Sequence, residues 1–183
     1  GLYDPADERD ACGFGLISTI GGDASREIVD GALQALSRMA HRGGIAADGL
    51  SGDGCGVLLY AADAFVDTLA AEAGFAFDGA RRAAGMVFLP DEPDAAAQCR
   101  ETLTQLLRDV DVRVAGWREV PLDDAALGAL ARTSKPRIEQ VFVTADGDDA
   151  QAFERVLYLA RRRAEQALRS EEHTSELQSR RDL

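Results

Sequence analysis

Histidine and lysine are nearly missing from this chain, which has two histidines, His41 and His173, and one lysine, Lys135, among 183 residues. Zinc sites lean heavily on imidazole, so a metal centre here would need an unusual ligand set, and none is expected. Cysteine is scarce as well. Cys12, Cys55 and Cys99 are odd in number and form no C-x-x-C pair, which argues against a disulfide framework and for a reducing, cytoplasmic setting. No apolar run approaches the roughly 18 to 20 residues of a membrane span, and the opening GLYDPADERDAC is too acidic for a signal peptide. Basic side chains number 20 against 32 acidic ones, a net charge of −12. That is the wrong sign for wholesale nucleic-acid binding.

What is present is ordinary globular composition, 46% hydrophobic and 28% charged, in a length that can bury a substantial core. Phe14, Leu16, Ile17 and Ile20 form a short apolar run that reads as a buried strand. The stretch ASREIVDGALQALSRMA follows, with Ser25 or Asp23 as its N-cap and Ile28, Val29, Ala32, Leu33, Leu36 and Met39 on one face. It is the clearest helix and is expected to end at His41-Arg42-Gly43-Gly44. A glycine-rich loop, AADGLSGDGCG, leads to a predicted strand at Val57 to Tyr60. Asp63 caps a short helix ending at Gly74. Gly85 to Leu89 reads as a buried strand stopped by Pro90, and Pro93 opens a helix with Cys99, Leu103, Leu106, Leu107 and Val110 inward. Val112, Val114 and Trp117 suggest a strand, Leu122 to Ala131 a short helix, and Ile138, Val141 and Val143 a strand. A last helix from about Ala150 turns Phe153, Val156, Leu157, Leu159 and Ala160 inward. Periodicity alone gives a layered α/β or α+β domain and does not separate a doubly wound sheet from two sheets between helix layers.

From Arg169 the texture changes. RSEEHTSELQS replaces an Ala-, Arg-, Asp-, Gly- and Leu-rich chain, and composition reads it as a solvated C-terminus. It also resembles the in-frame translation of a common short-read sequencing adapter, matching it through Gln178. Residues 169–183 are therefore expected to be a read-through tail that interrupts a helix, and they are excluded from the fold.

Few side chains offer chemistry. Cys12 lies between an acidic leader and a strand, flanked by Gly13 and Gly15; it is either a small buried thiol or a nucleophile. His41 and Arg42 sit at a helix end, where cations meet the helix dipole and where Arg42 can present a planar fork to a carboxylate. The run Ser51-Gly52-Asp53-Gly54-Cys55-Gly56 lacks the lysine of a phosphate-binding loop, and Asp53 would repel phosphate, so a turn is the default. Cys55 is expected to pack inward, and Arg161-Arg162-Arg163 to form a solvated face with Glu165 nearby.

Taken in order, these pieces gain meaning. LYDPADERDACGFGLISTI, ALQALSRMAHRGGIAADGLSGDGCGVLL, GMVFLP, VAGWREVP, PRIEQVFV and FERVLYLARRRAE resemble, in sequence, the N-terminal region of the large subunit of bacterial glutamate synthase. The resemblance covers residues 2 to 168 and implies a class II glutamine amidotransferase domain. The implied fold is α+β, an N-terminal-nucleophile hydrolase αββα sandwich, here truncated. Three departures stand out: Gly44 where alanine commonly follows HRG, Ser51 where threonine usually precedes GDG, and Arg26 where histidine is frequent. None removes a reactive group.

The resemblance implies a leader at 1–11, a partial amidotransferase domain at 12–168, and Cys12 as nucleophile once the leader is gone. His41, Arg42, Gly43, Asp53 and Gly54 would belong to the active-site shell. The implied partners are L-glutamine, the remaining synthase domains of the same polypeptide and a small reductase subunit. FMN and an iron–sulfur cluster are implied for the full-length family protein, and no cofactor for this segment. The family's segment that grips the substrate carboxylate and its Asn-Gly oxyanion pair find no counterpart here, so this polypeptide alone is expected to have little or no glutaminase activity. The competing reading is a non-catalytic α/β ligand-binding or interaction module in which Cys12 is a core thiol.

Overall fold

The structure is a computed structural model that describes residues 13–23, 25–39, 44–52, 54–59 and 63–179, with side-chain surroundings as far as residue 168. Along the chain run α1 (Arg26–Arg38), α2 (Asp63–Glu72), β1 (Arg81–Leu89), α3 (Pro93–Arg108), β2 (Arg113–Glu119), a 3-10 turn (Asp124–Ala126), α4 (Ala129–Thr133), β3 (Arg137–Ala145) and α5 (Ala150–Ser179). They divide into two compact units. One comprises Gly1–Tyr60 with Asp123–Lys135, and the other Ala61–Leu122 with Pro136–Leu183.

The second unit is built on a three-stranded antiparallel sheet of order β1-β3-β2. Its centre is β3, where Val141, Phe142, Val143, Thr144 and Ala145 are all buried. A strand covered on both faces needs apolar side chains in both parities, which is why this run does not alternate. On one face Val141, Val143 and Ala145 pack with Leu107 of α3 and with Phe153 and Ala160 of α5. On the other, Phe142 packs with Val66 and Ala70 of α2, its ring tilted against Phe75 at 5.9 Å and Phe77 at 6.4 Å between centroids. A register shift between Val114 and Gly116 bulges β2 against its partner.

The helix boundaries follow from local chemistry. Pro93 stands at the start of α3, and the Glu92 carboxylate accepts from the Asp94 and Ala95 amides at 3.0 and 2.6 Å. At the other end Asp111 takes the left-handed conformation, φ 61, and the Val112 amide returns to the Leu107 carbonyl at 3.0 Å. Gly74, φ 81, closes α2 in the same manner, as its spacing predicted. Arg161 and Arg162 lie exposed beside Glu165.

Several expectations need correction. The apolar run at 14–20 forms no strand, and Phe14, Leu16 and Ile20 are exposed. Val57, Leu58 and Leu59 likewise form none and are exposed, Tyr60 lying outside the described residues. Hydrophobic runs mark residues that favour burial, but a strand also needs a partner for its backbone groups, and neither segment has a ladder. The strand read at Gly85 to Leu89 begins at Arg81, and Met86 and Phe88 are exposed rather than buried. Leu159 points outward from α5. The helix expected from Leu122 to Ala131 is two pieces parted by Gly128. Cys55 is exposed rather than packed inward.

The architecture is mixed helix and sheet, and its antiparallel pairing rules out a doubly wound parallel sheet for β1-β3-β2. Among the described residues there is one named sheet. Helix α5 continues through Arg169 to Ser179.

Candidate functional site

Of the residues singled out by sequence, Cys12, His41, Arg42, Gly43 and Asp53 lie outside the described residues. Gly54 lies within them, exposed and in irregular chain. The loop joining the two motifs, however, is described. It is held closed.

Gly44 and Gly52, the direct chain neighbours of Gly43 and Asp53, meet at the mouth of this loop. Ile45 and Gly52 form an antiparallel bridge, and the Ala46 amide donates to the Ser51 carbonyl at 2.7 Å. A side chain at Gly52 would put its Cβ 2.6 Å from the Gly44 carbonyl oxygen, so the two backbones approach more closely than any other residue permits. The reversal uses the Asp48-Gly49 pair. Gly49 adopts φ 71 and its amide donates to the Ala46 carbonyl at 3.0 Å. Two motifs separated by nine residues in sequence thus leave from adjacent points of one closed loop.

The loop is also tied to the start of α4, about eighty residues further on. Asp48 Oδ1 accepts from the Leu50 and Ser51 amides at 3.1 and 2.8 Å. Its Oδ2 accepts from the Ser51 hydroxyl at 2.6 Å and from the Leu130 amide at 3.0 Å. Ser51 Oγ in turn accepts from the Ala131 amide at 2.9 Å. Two of the amides that the first turn of a helix leaves unpaired are thereby satisfied by side chains from a distant segment. Gly128 permits the approach, since a Cβ there would lie 2.5 Å from both Asp48 Oδ2 and the Ser51 nitrogen. The Ser51 hydroxyl, then the Leu130 amide, then the Ser51 and Leu50 amides hold the Asp48 carboxyl well below the usual carboxylate range. Ser51 is buried.

Sequence reasoning passed over Asp48, named Ser51 only as part of a turn and a departure from the family pattern, and read Gly128–Ala131 as the end of a short helix. The Asp-Gly pair signals a reversal, but the partner of Asp48 lies across a sequence distance that no local pattern reports. An open depression of about 350 Å³ lined by Glu101, Thr102, Gln105, Leu106 and Ala167 carries no cysteine. Among the described residues no group of His, Cys, Asp and Glu is arranged to hold a metal ion. Among them, too, no helix is long and apolar enough to cross a membrane.

Comparison with known proteins gives the loop its context. Residues 12–179 match the family model for class II glutamine amidotransferases. Ferredoxin-dependent glutamate synthase 2 of Arabidopsis thaliana, chloroplastic, is 37% identical over 178 residues, 96% of this chain and 11% of that protein. Ferredoxin-dependent glutamate synthase 2 of Synechocystis is 40% identical over 157 residues, 85% of this chain and 10% of the relative. The glutamate synthase (NADPH) large chain of Azospirillum brasilense is 36% identical over 172 residues, 93% and 11% respectively. The chain spans about a tenth of the length of each.

Proposed function

Because this chain belongs to the class II glutamine amidotransferase family, we propose that it is the glutamine-hydrolysing portion of a glutamate synthase, with Cys12 as its nucleophile. The observation that carries this reading is the extent of the family match, which begins at Cys12 itself. The names of the relatives, glutamate synthases, support glutamate synthesis as the use of the nitrogen, and in this reading its acceptor is 2-oxoglutarate.

In this reading residues 1–11 are a leader, and their removal frees the α-amino group of Cys12. A free α-amine has a pKa near 7.7 to 8.0, so it can take the thiol proton close to neutral pH. The thiolate then attacks the side-chain amide carbon of glutamine. The carbon–nitrogen bond breaks, the amine-borne proton passes to the departing nitrogen, and ammonia leaves behind a thioester. Water opens the thioester, giving glutamate and restoring the thiol. While Ala11 remains attached, the same nitrogen is an amide and is no base. His41, Arg42, Gly43, Asp53 and Gly54 form the surrounding shell, with no histidine needed as the base.

The reading extends to the remaining synthase domains of the same polypeptide and to a small reductase subunit as partners. It assigns FMN and the iron–sulfur cluster to those other parts, the three scattered cysteines of this chain being no cluster ligand set. The odd cysteine count supports a reducing cytoplasmic compartment. The proposed domain is residues 12–168; the family match runs on to residue 179, and the tail at 169–183 is set apart on its sequence alone.

A glutamine-like diazo-ketone tests the proposal. Applied to the synthase polypeptide that carries this region, it is expected to label Cys12 when that residue is the N-terminus. Labelling should fall about 10²-fold or more when residues 1–11 are retained, the usual worth of a lost general base, and vanish in Cys12→Ala. Mass spectrometry of the labelled peptide reads the result. Equal labelling with and without the leader, or none at Cys12, would overturn the reading and favour a non-catalytic module.

A further inference from the structure

We infer that Asp48 and Ser51 are positioning residues for the amidotransferase site: their clasp on the first turn of α4 fixes the closed loop from which both shell motifs emerge. The inference rests on the amidotransferase reading for the identity of those motifs. The geometry of the clasp does not depend on it.

Three independent features converge on these two side chains. The first is saturation: Asp48 accepts four hydrogen bonds, two on each oxygen, so the carboxylate has one orientation. Fixing it fixes the loop. The second is reach. Leu130 and Ala131 are 82 and 80 residues from Asp48 and Ser51, so the clasp joins the loop to a second stretch of chain that would otherwise be free of it. The third is placement. The bridge Ile45 to Gly52 closes directly on Gly44, which follows His41-Arg42-Gly43, and on Gly52, which precedes Asp53-Gly54. Gly49 and Gly52 make the loop's own backbone soft.

A residue of this kind touches no substrate. It acts by holding the groups that do, and misplacement of reacting groups by about 1 Å can cost about 10²-fold in rate. The side chains involved explain the choice of chemistry. A carboxylate accepts in several directions simultaneously, whereas an asparagine in the same place would direct two donors at amides that also donate. A hydroxyl at residue 51 both donates to Asp48 and accepts from Ala131, a relay that alanine cannot supply.

Two measurements test the inference together. Hydrogen exchange on the chain is expected to quicken at the Ser51 amide and at the Leu130 and Ala131 amides in Asp48→Ala, while β3 keeps its protection. Labelling of Cys12 in the processed synthase polypeptide is then compared for two reagents: the diazo-ketone, which needs the glutamine pocket, and iodoacetamide, which needs only the thiol. Asp48→Ala and Ser51→Ala are expected to lower the maximal diazo-ketone rate by about 10- to 10²-fold and to leave the iodoacetamide rate unchanged. Ser51→Thr, which keeps the hydroxyl, should retain both rates. Loss of both rates together, or no change in their ratio, would reduce Asp48 and Ser51 to structural parts and overturn the inference. If the wild-type protein shows no diazo-ketone labelling while the exchange coupling is present, it is the amidotransferase reading that has failed, and the positioning role falls with it. Exchange at residues 130 and 131 that ignores Asp48→Ala would overturn the clasp alone.

Discussion

Glu139 places a carboxylate in β3 at 4% exposure, between strand neighbours that are apolar further along. Two guanidinium groups make that possible: Arg100 from α3 approaches at 2.6 Å and Arg137 from the strand itself at 2.7 Å. Both arginines keep about a third of their side chains in water, so they can be lost to solvent at modest cost, but the carboxylate cannot. The asymmetry gives a prediction. Glu139→Gln should cost about 1–2 kcal/mol, since the released guanidinium groups turn outward, whereas Arg100→Met with Arg137→Met should cost about 3–5 kcal/mol by stranding a buried charge. Urea unfolding midpoints of the three proteins would check the order; equal losses would mean the carboxylate is reached by water after the arginines go. At this scale the sequence was legible only in part. Cys12 and the glycines of the loop stand out by type, while Asp48 and Glu139 are read correctly only once partners 82 and 39 residues away are seen.

At the scale of the element, two helices begin on acidic caps. Glu92 accepts from the Ala95 and Asp94 amides ahead of α3, and these bonds lower its carboxyl pKa. Asp149 accepts from the Ala152 amide, and next from Gln151, ahead of α5, with Arg155 and Arg81 adding to the same direction. A carboxyl whose folded pKa is depressed binds protons more readily in the unfolded chain. Its contribution is therefore complete above the unfolded value, near 3.9 for aspartate and 4.3 for glutamate, and is lost as pH falls through the folded value. Amide exchange in the first turns of α3 and α5 is accordingly expected to speed up on acidification below about pH 4, beyond the intrinsic pH dependence. Glu92→Ala should abolish that response in α3 and leave it in α5; a response in α3 that survives the substitution would assign it to another group. Helices α2 and α3 were the most legible elements because their start and stop signals, such as Pro93 and Gly74, lie in the local sequence, whereas the stretch expected as one helix at Leu122 to Ala131 was not. Strand β3 was legible because it is buried on both sides. The runs at 14–20 and 57–59 misled because apolar character carries no information about which backbone, if any, lies alongside.

For the molecule as a whole, two surface properties act against each other. Net charge of −12 pushes copies apart, and exposed apolar side chains draw them together. The latter concentrate in the first unit, where Phe14, Leu16, Ile20, Ile45, Leu50 and Leu58 are each at least 73% exposed, a density that favours association. The motif order that identified the family was legible because it depends on residue type alone; this balance was not, since it depends on which apolar residues found a cover. Repulsion between charged surfaces acts over a Debye length of about 30 Å at 0.01 M salt and about 3 Å at 1 M, whereas apolar attraction is not screened. Self-association measured by light scattering should therefore be weak at low ionic strength and rise steeply as sodium chloride is added. Leu16→Asp with Leu58→Asp both removes apolar surface and adds charge, so this variant should stay dispersed at salt concentrations that associate the wild type. Substitution of two exposed side chains in the second unit, Met86→Asp and Phe88→Asp, should help less, because there they are the exposed minority beside a packed core. Association that weakened with salt would point instead to pairing between charged groups, and the apolar surface of the first unit would not be its cause.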